Sequence, residues 1–117
     1  MPRSAAVYLS DIVEACEAID DVLSGVDLSA YQNARAIRSA VEREFIIIGE
    51  AVGALGRLAP AMFAEISHAR LIIGFRNVLT HDYAAVDDET VFGLARSDVP
   101  NLRQECMELL EGLGEVD

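Results

Sequence analysis

Val7, Tyr8, Ile12, Cys16, Ile19 and Leu23 recur at helical spacing, with Asp11, Glu14, Glu17 and Asp21 mainly between them, which predicts an amphipathic first helix. Ser24-Gly25 should end it, because glycine accepts the left-handed conformation past a helix C-terminus. Ser29 and Gln32 have capping-box spacing, so a second helix is expected to open there and run to Gly56. Its core stripe is Ile37, Val41, Phe45, Ile48, Val52 and Leu55. Phe45-Ile46-Ile47-Ile48 is apolar all the way round, so a second face should also be buried, with Glu50 on it beside Ile46, Ile47, Gly53 and Ala54. A carboxylate there needs a partner. Gly49 and Gly53 leave room for another helix to come close.

Pro60 suits the first turn of a short helix through Phe63, and Ser67 can cap the next, whose core side is Leu71, Ile72, Phe75, Val78 and Leu79. His68, where that helix opens, reads as a surface or capping histidine. Asp87 or Asp88 can cap a last helix carrying Val91, Leu94, Leu102, Cys106, Leu109 and Leu113, with Pro100 as a kink or break. Asp87, Asp88 and Glu89 suit the positive end of that helix, and the acids after Cys106 read as a solvated face. No strand alternation, internal repeat or linker interrupts this pattern. The expectation is an all-α chain: one domain over residues 1–117, an antiparallel up-and-down bundle of four to five helices.

Composition narrows the chemistry. No apolar run reaches the roughly 20 residues of a membrane span, and acids follow the start too soon for a signal peptide, so a cytoplasmic protein without membrane contact is expected. All nine basic residues are arginine, which removes lysine-dependent phosphate loops and Schiff-base chemistry. Cys16 and Cys106 have no metal-ligand spacing and read as structural thiols; with only two histidines, neither a metal nor a cofactor is expected. The net charge of −11 opposes broad nucleic-acid binding, but its distribution is uneven. Residues 1–34 carry −5 and residues 84–117 carry −7, whereas 35–57 carry +1 and 58–83 are neutral. A phosphate-facing surface would have to be local and central.

That centre holds RNVLTHDY, Arg76 to Tyr83. Arg76 and Tyr83 share a helical face, as do Asn77 and His81, while His81 and Tyr83 would point apart unless the helix loosens. A histidine can move protons near neutrality, and an arginine can stabilise a phosphate gaining charge. Asn77 could orient the imidazole, Glu50 could pair at an interface or orient Arg76 or His81, and Thr80 and Asp82 could tune His81. RNA brings its own nucleophile, the 2′-hydroxyl, so RNA and not DNA is the expected substrate. One histidine cannot serve as base and acid at once, but a twofold dimer would supply a second and would also bury an apolar second face. By spacing alone the blander account is the better one: Arg76 caps carbonyls or pairs with a carboxylate, His81 ends a core helix, and Tyr83 tucks its ring under the loop.

Arg76, His81 and Tyr83 form R-x4-H-x-Y, and with GEAVGALGRLAP upstream and VDDETVFGLARSDVPNL downstream the arrangement resembles HepT-type proteins of the HEPN superfamily over roughly residues 45–110. The resemblance implies a HEPN-like bundle that forms a homodimer, a metal-independent ribonuclease toxin with Arg76 and His81 catalytic in a site shared by both protomers. It further implies a nucleotidyltransferase-fold antitoxin partner that silences the toxin by transferring AMP to Tyr83. The same fold could instead serve as a noncatalytic accessory subunit that helps a nucleotidyltransferase bind its substrate.

Overall fold

The computed structural model describes residues 4–115, and every regular element among them is helical. They are α1 (Ala5–Val22), α2 (Leu28–Gln32), α3 (Arg35–Leu58), α4 (Pro60–Phe63), α5 (Ala69–His81) and α6 (Asp88–Glu115), with a 3₁₀ turn at Tyr83–Ala85. α1 packs between α3 and α6, while α5 lies outboard against α3. The Gly49–Arg76 and Gly53–Ile73 approaches run in opposite order along α3 and α5, so these helices are antiparallel. The same reasoning applies to α1 and α6, where Glu17 meets Arg103 and the Leu23 carbonyl meets Arg96. The resulting body measures 47 × 29 × 25 Å, the elongated shape of an up-and-down bundle. None of the helices among the described residues is long and apolar enough to cross a membrane.

α1 begins where Ser4 accepts from the Val7 amide and ends ahead of Gly25, whose φ of 73° fits the expected left-handed turn. Its buried side chains are Leu9, Ile12, Val13, Ala15, Cys16 and Ile19. Val7, expected in the core, is 39% exposed; the buried stripe is rotated toward Leu9 and Val13 to face α3 and α6 together. Arg96 reaches across from α6 to cap the carbonyls of Leu23 and Val26, and its guanidinium lies 5.1 Å from the centre of the Phe92 ring.

The long second helix is divided. Asp27, not Ser29, is the cap: its carboxylate accepts from the Ala30 amide at 2.8 Å, starting α2, which stops at Asn33. Tyr31 is fully buried against Phe92 and pins this turn to α6. α3 then buries Val41, Phe45, Ile48, Val52 and Leu55, as the stripe predicted, together with Gly49 and Ala51; Ile37 is half-buried. The expected buried second face is only partly realised: Ile46 and Ile47 are half-buried, but the Glu50 side chain is 55% exposed. α1 and α5 both pack on α3, and this carboxylate stays open to solvent where it meets Arg76 of α5.

α6, by contrast, runs unbroken through Pro100, which is exposed, so its missing N–H falls where water can satisfy the orphaned carbonyl. Asp87 stands just before α6, its carbonyl accepting from Val91 and its carboxylate from the Thr90 hydroxyl. Of the expected solvated acids beyond Cys106, Glu108 and Glu111 are exposed and Asp117 lies outside the described residues.

Candidate active site

Gly49 sets the position of α5. A methyl group there would lie 2.2 Å from the Arg76 Cβ and 2.7 Å from its Cγ, so the glycine is the gap into which the stem of Arg76 fits. Gly53, one turn on, is in ordinary contact range of Ile73, with 4.0 Å between the same kind of methyl and the Ile73 Cδ1. The expectation of a close helix approach is therefore met chiefly at Gly49. α5 itself starts after Ser67, which is not its cap: the Ser67 amide and hydroxyl both donate to the Glu105 carboxylate, the hydroxyl at 2.6 Å. His68 follows in the left-handed region with φ of 61° and is exposed at the cap position without a side-chain cap bond.

Arg76 is held from two sides. Its Nη2 donates to Glu50 Oε1 at 3.1 Å, and its Nη1 donates to Asn77 Oδ1 at 3.0 Å. Asn77 thus orients the guanidinium and not, among the described residues, the imidazole. The Arg76 side chain is 28% exposed, and its Nε is buried with no partner among the described residues. Thr80 turns back onto its own helix, where its hydroxyl donates to the Arg76 carbonyl at 3.1 Å and lies 3.3 Å from that of Asn77. It braces the last turns of α5.

The expected loosening occurs at the end of the motif. His81 is the last residue of α5; Asp82 leaves the helix at φ −141°, ψ 52°, its amide still donating to the Val78 carbonyl. Tyr83 opens the 3₁₀ turn, and the Ala85 and Val86 amides donate to the carbonyls of Asp82 and Tyr83. His81 and Tyr83 are exposed, Tyr83 at 71%, and neither side chain forms a hydrogen bond or ion pair among the described residues. The arrangement therefore combines one anchored cation with two accessible groups capable of proton or group transfer, at one end of one helix. No three histidine, cysteine or acidic side chains converge as metal donors among the described residues.

The profile of the Ribonuclease HepT-like family matches residues 12–109, from inside α1 almost to the end of α6. The chain belongs to the HepT-like ribonuclease family. It is 30% identical over 109 residues to the probable ribonuclease HepT of Thermococcus cleftensis, covering 93% of this chain and 98% of that protein. A candidate RNase of Methanocaldococcus jannaschii is 28% identical over 103 residues, covering 88% and 94%. One from Caldanaerobacter subterraneus subsp. tengcongensis is also 28% identical, over 108 residues, covering 89% and 92%. No solved structure matches the chain. The residues matched by the family profile include the α3–α5 pair that carries Glu50, Arg76 and His81.

Glu50 is the residue whose setting sequence reasoning read only in part. A need for a partner was visible, since the chain around it is apolar. Its exposure was not, because that depends on which sides of α3 the neighbouring helices leave open.

Proposed function

We propose that the chain is the toxin of a toxin–antitoxin pair and cleaves RNA at a metal-independent site built on Arg76 and His81. The observation that carries this reading is the anchorage of Arg76 by Glu50, Asn77 and the Gly49 gap within two helical turns of the unengaged His81 and Tyr83. The arginine would hold the scissile phosphate and stabilise the charge it gains as the 2′-oxygen attacks. The bond formed is 2′-oxygen to phosphorus and the bond broken is phosphorus to the 5′-oxygen. One His81 accepts the 2′-hydroxyl proton, and a second His81 donates a proton to the departing oxygen.

The second histidine would come from a twofold copy. Leu71 and Val78, expected on the core side of α5, are instead 71% and 36% exposed; seven residues apart on one face, they give the helix an apolar strip suited to such a partner. The exposed phenol of Tyr83 is accessible to a nucleotidyltransferase-fold antitoxin, on which its oxygen would lose its proton and bond to the α-phosphorus of ATP as the bond to pyrophosphate breaks. The attached phosphate and nucleoside would then occupy the space and charge environment that the substrate requires. The partner, the modification and the cytoplasmic setting belong to this proposal.

Induced expression of wild type, His81→Ala and Tyr83→Phe, each confirmed folded, tests it through growth and the integrity of total RNA. Wild type should arrest growth and fragment RNA, His81→Ala should do neither, and Tyr83→Phe should escape silencing by an antitoxin. A wild type that is harmless and leaves RNA intact would favour the noncatalytic accessory subunit.

A further inference from the structure

The surface beside Arg76 differs in charge from the rest of the molecule. From residue 50 to residue 82 three arginines, Arg57, Arg70 and Arg76, balance three acids, Glu50, Glu65 and Asp82, giving no net charge in a chain whose total is −11, so that the whole excess of acid falls elsewhere. Arg57 lies in the last turn of α3, where the usual role of an arginine is to cover the final carbonyls. Its head goes elsewhere: a methyl on Gly53 would meet Arg57 Nη1 at 3.7 Å and Ile73 Cδ1 at 4.0 Å. The guanidinium is folded back along α3 onto the seam with α5. Gly49, where Arg76 crosses, is four residues from Gly53, or about 6 Å along the helix.

Arg70 stands at the same end of the seam. Its guanidinium lies 5.7 Å from the centre of the Phe63 ring, and that ring fills the space of a Gly56 side chain, 2.8 Å from where its Cβ would be. Arg57 and Arg70 are both exposed, and neither is hydrogen-bonded or ion-paired to an acid among the described residues. Arg38, Arg76 and Arg103 all have carboxylate partners.

We propose that Arg57 and Arg70 form a phosphate subsite flanking Arg76, so that a single-stranded RNA lies along the α3–α5 seam with its neighbouring phosphate at this pair. The assignment rests on the ribonuclease reading above for the position of the scissile phosphate. It makes the substrate a strand extending beyond the cleaved linkage, held where the acidic body least repels it.

The test compares a single-stranded RNA decamer with a dinucleoside monophosphate, which has a scissile phosphate and no flanking one. Arg57→Gln should lower kcat/KM on the decamer about tenfold, and several-fold more than on the dinucleoside. The slope of log affinity against log salt should flatten by about 0.7, and by about twice that in Arg57→Gln/Arg70→Gln. Arg57→Lys should keep the slope, and Arg35→Gln, at the far end of α3, should match wild type throughout. Equal losses on both substrates, an unchanged slope, or the same loss in Arg35→Gln would overturn the subsite. Binding of a fully 2′-O-methylated decamer separates the two proposals. If wild type cleaves nothing but binds this decamer with an Arg57-dependent slope, only the ribonuclease reading fails; if it does not bind, the subsite fails too.

Discussion

Replacing Gly49 by alanine should disable the site while leaving the bundle folded. The added Cβ would lie 2.2 Å from the Arg76 Cβ, an atom fixed by the α5 backbone that cannot swing aside as a side-chain tip can. Reaching even 3.0 Å requires about 0.8 Å of separation between α3 and α5 there, and ordinary contact requires more than 1 Å. Alanine in a helix interior gains about 1 kcal/mol over glycine, whereas overpacking costs about 1–3 kcal/mol, so stability should change by between nothing and a loss of about 2 kcal/mol. A guanidinium displaced by about 1 Å should reduce turnover by about 10²-fold. Gly53→Ala meets only ordinary contacts and Gly93→Ala meets open space, so both should be stabilised by about 0.5–1 kcal/mol. Urea unfolding and cleavage of an RNA oligonucleotide, run side by side, give both readouts. If Gly49→Ala gains stability like the two controls and cleaves RNA at the wild-type rate, the helix approach does not position Arg76.

Three further outcomes follow from buried and half-buried groups. The Tyr31 hydroxyl is buried without a partner among the described residues, and Tyr31→Phe should raise stability by about 1 kcal/mol in urea unfolding, with a fall refuting the orphaned-hydroxyl reading. Burial, then Asp88, raises the Glu42 carboxyl above its ordinary 4.5 against the opposing pull of Arg38. The folded state therefore holds this proton longer than the unfolded one, so the group's contribution to stability falls as pH rises through and above 4.5. Glu42→Gln should gain on wild type as pH is raised from 4 to 8, and a constant difference would count against it. Burial pushes the Cys16 and Cys106 thiols up to about 12, with each side chain 1% exposed or less. Iodoacetamide at pH 8 should label neither until the protein unfolds, and rapid labelling of the folded chain would contradict this.

The apolar stripe of α3 was legible because burial on one helix face leaves a period that needs no knowledge of the partner, whereas on α5 the same reading put Leu71 and Val78 in the core and both are exposed. Val41, Phe45, Ile48, Val52 and Leu55 are buried where the spacing placed them. What escaped depends on contacts distant in sequence. The interruption after Asn33 follows from Asp27 starting α2 and Tyr31 packing on Phe92, 61 positions later. The role of Ser67 was invisible because its partner, Glu105, lies on α6. The motif behaves differently: R-x4-H-x-Y could be read directly, and so could the need for the helix to end before Tyr83, since His81 and Tyr83 diverge on an ideal helix. That Asn77 would serve Arg76 instead of His81 could not be read, because both residues lie within its reach on the same helix.

The Glu50–Arg76 pair poses a problem for any phosphate-binding role, since a carboxylate already satisfies part of the guanidinium. Its exposure resolves it. With the two side chains 28% and 55% exposed, an ion pair of this kind contributes about 0–1 kcal/mol, little enough for a phosphate to displace or share it. Its main effect is therefore geometric: Glu50 and Asn77 fix the plane of a fork that already has Gly49 beneath its stem, so a phosphate bound as proposed would meet a guanidinium with few orientations left to lose. Histidine and tyrosine are treated oppositely, left unengaged where α5 gives way to the 3₁₀ turn. On the proposed roles this division is the useful one: a group that moves a proton between two oxygens, or accepts a transferred nucleotide, needs that freedom, whereas a group that only stabilises charge works best immobilised. The division between a held arginine and a free histidine–tyrosine end is the physical form that R-x4-H-x-Y takes in this chain.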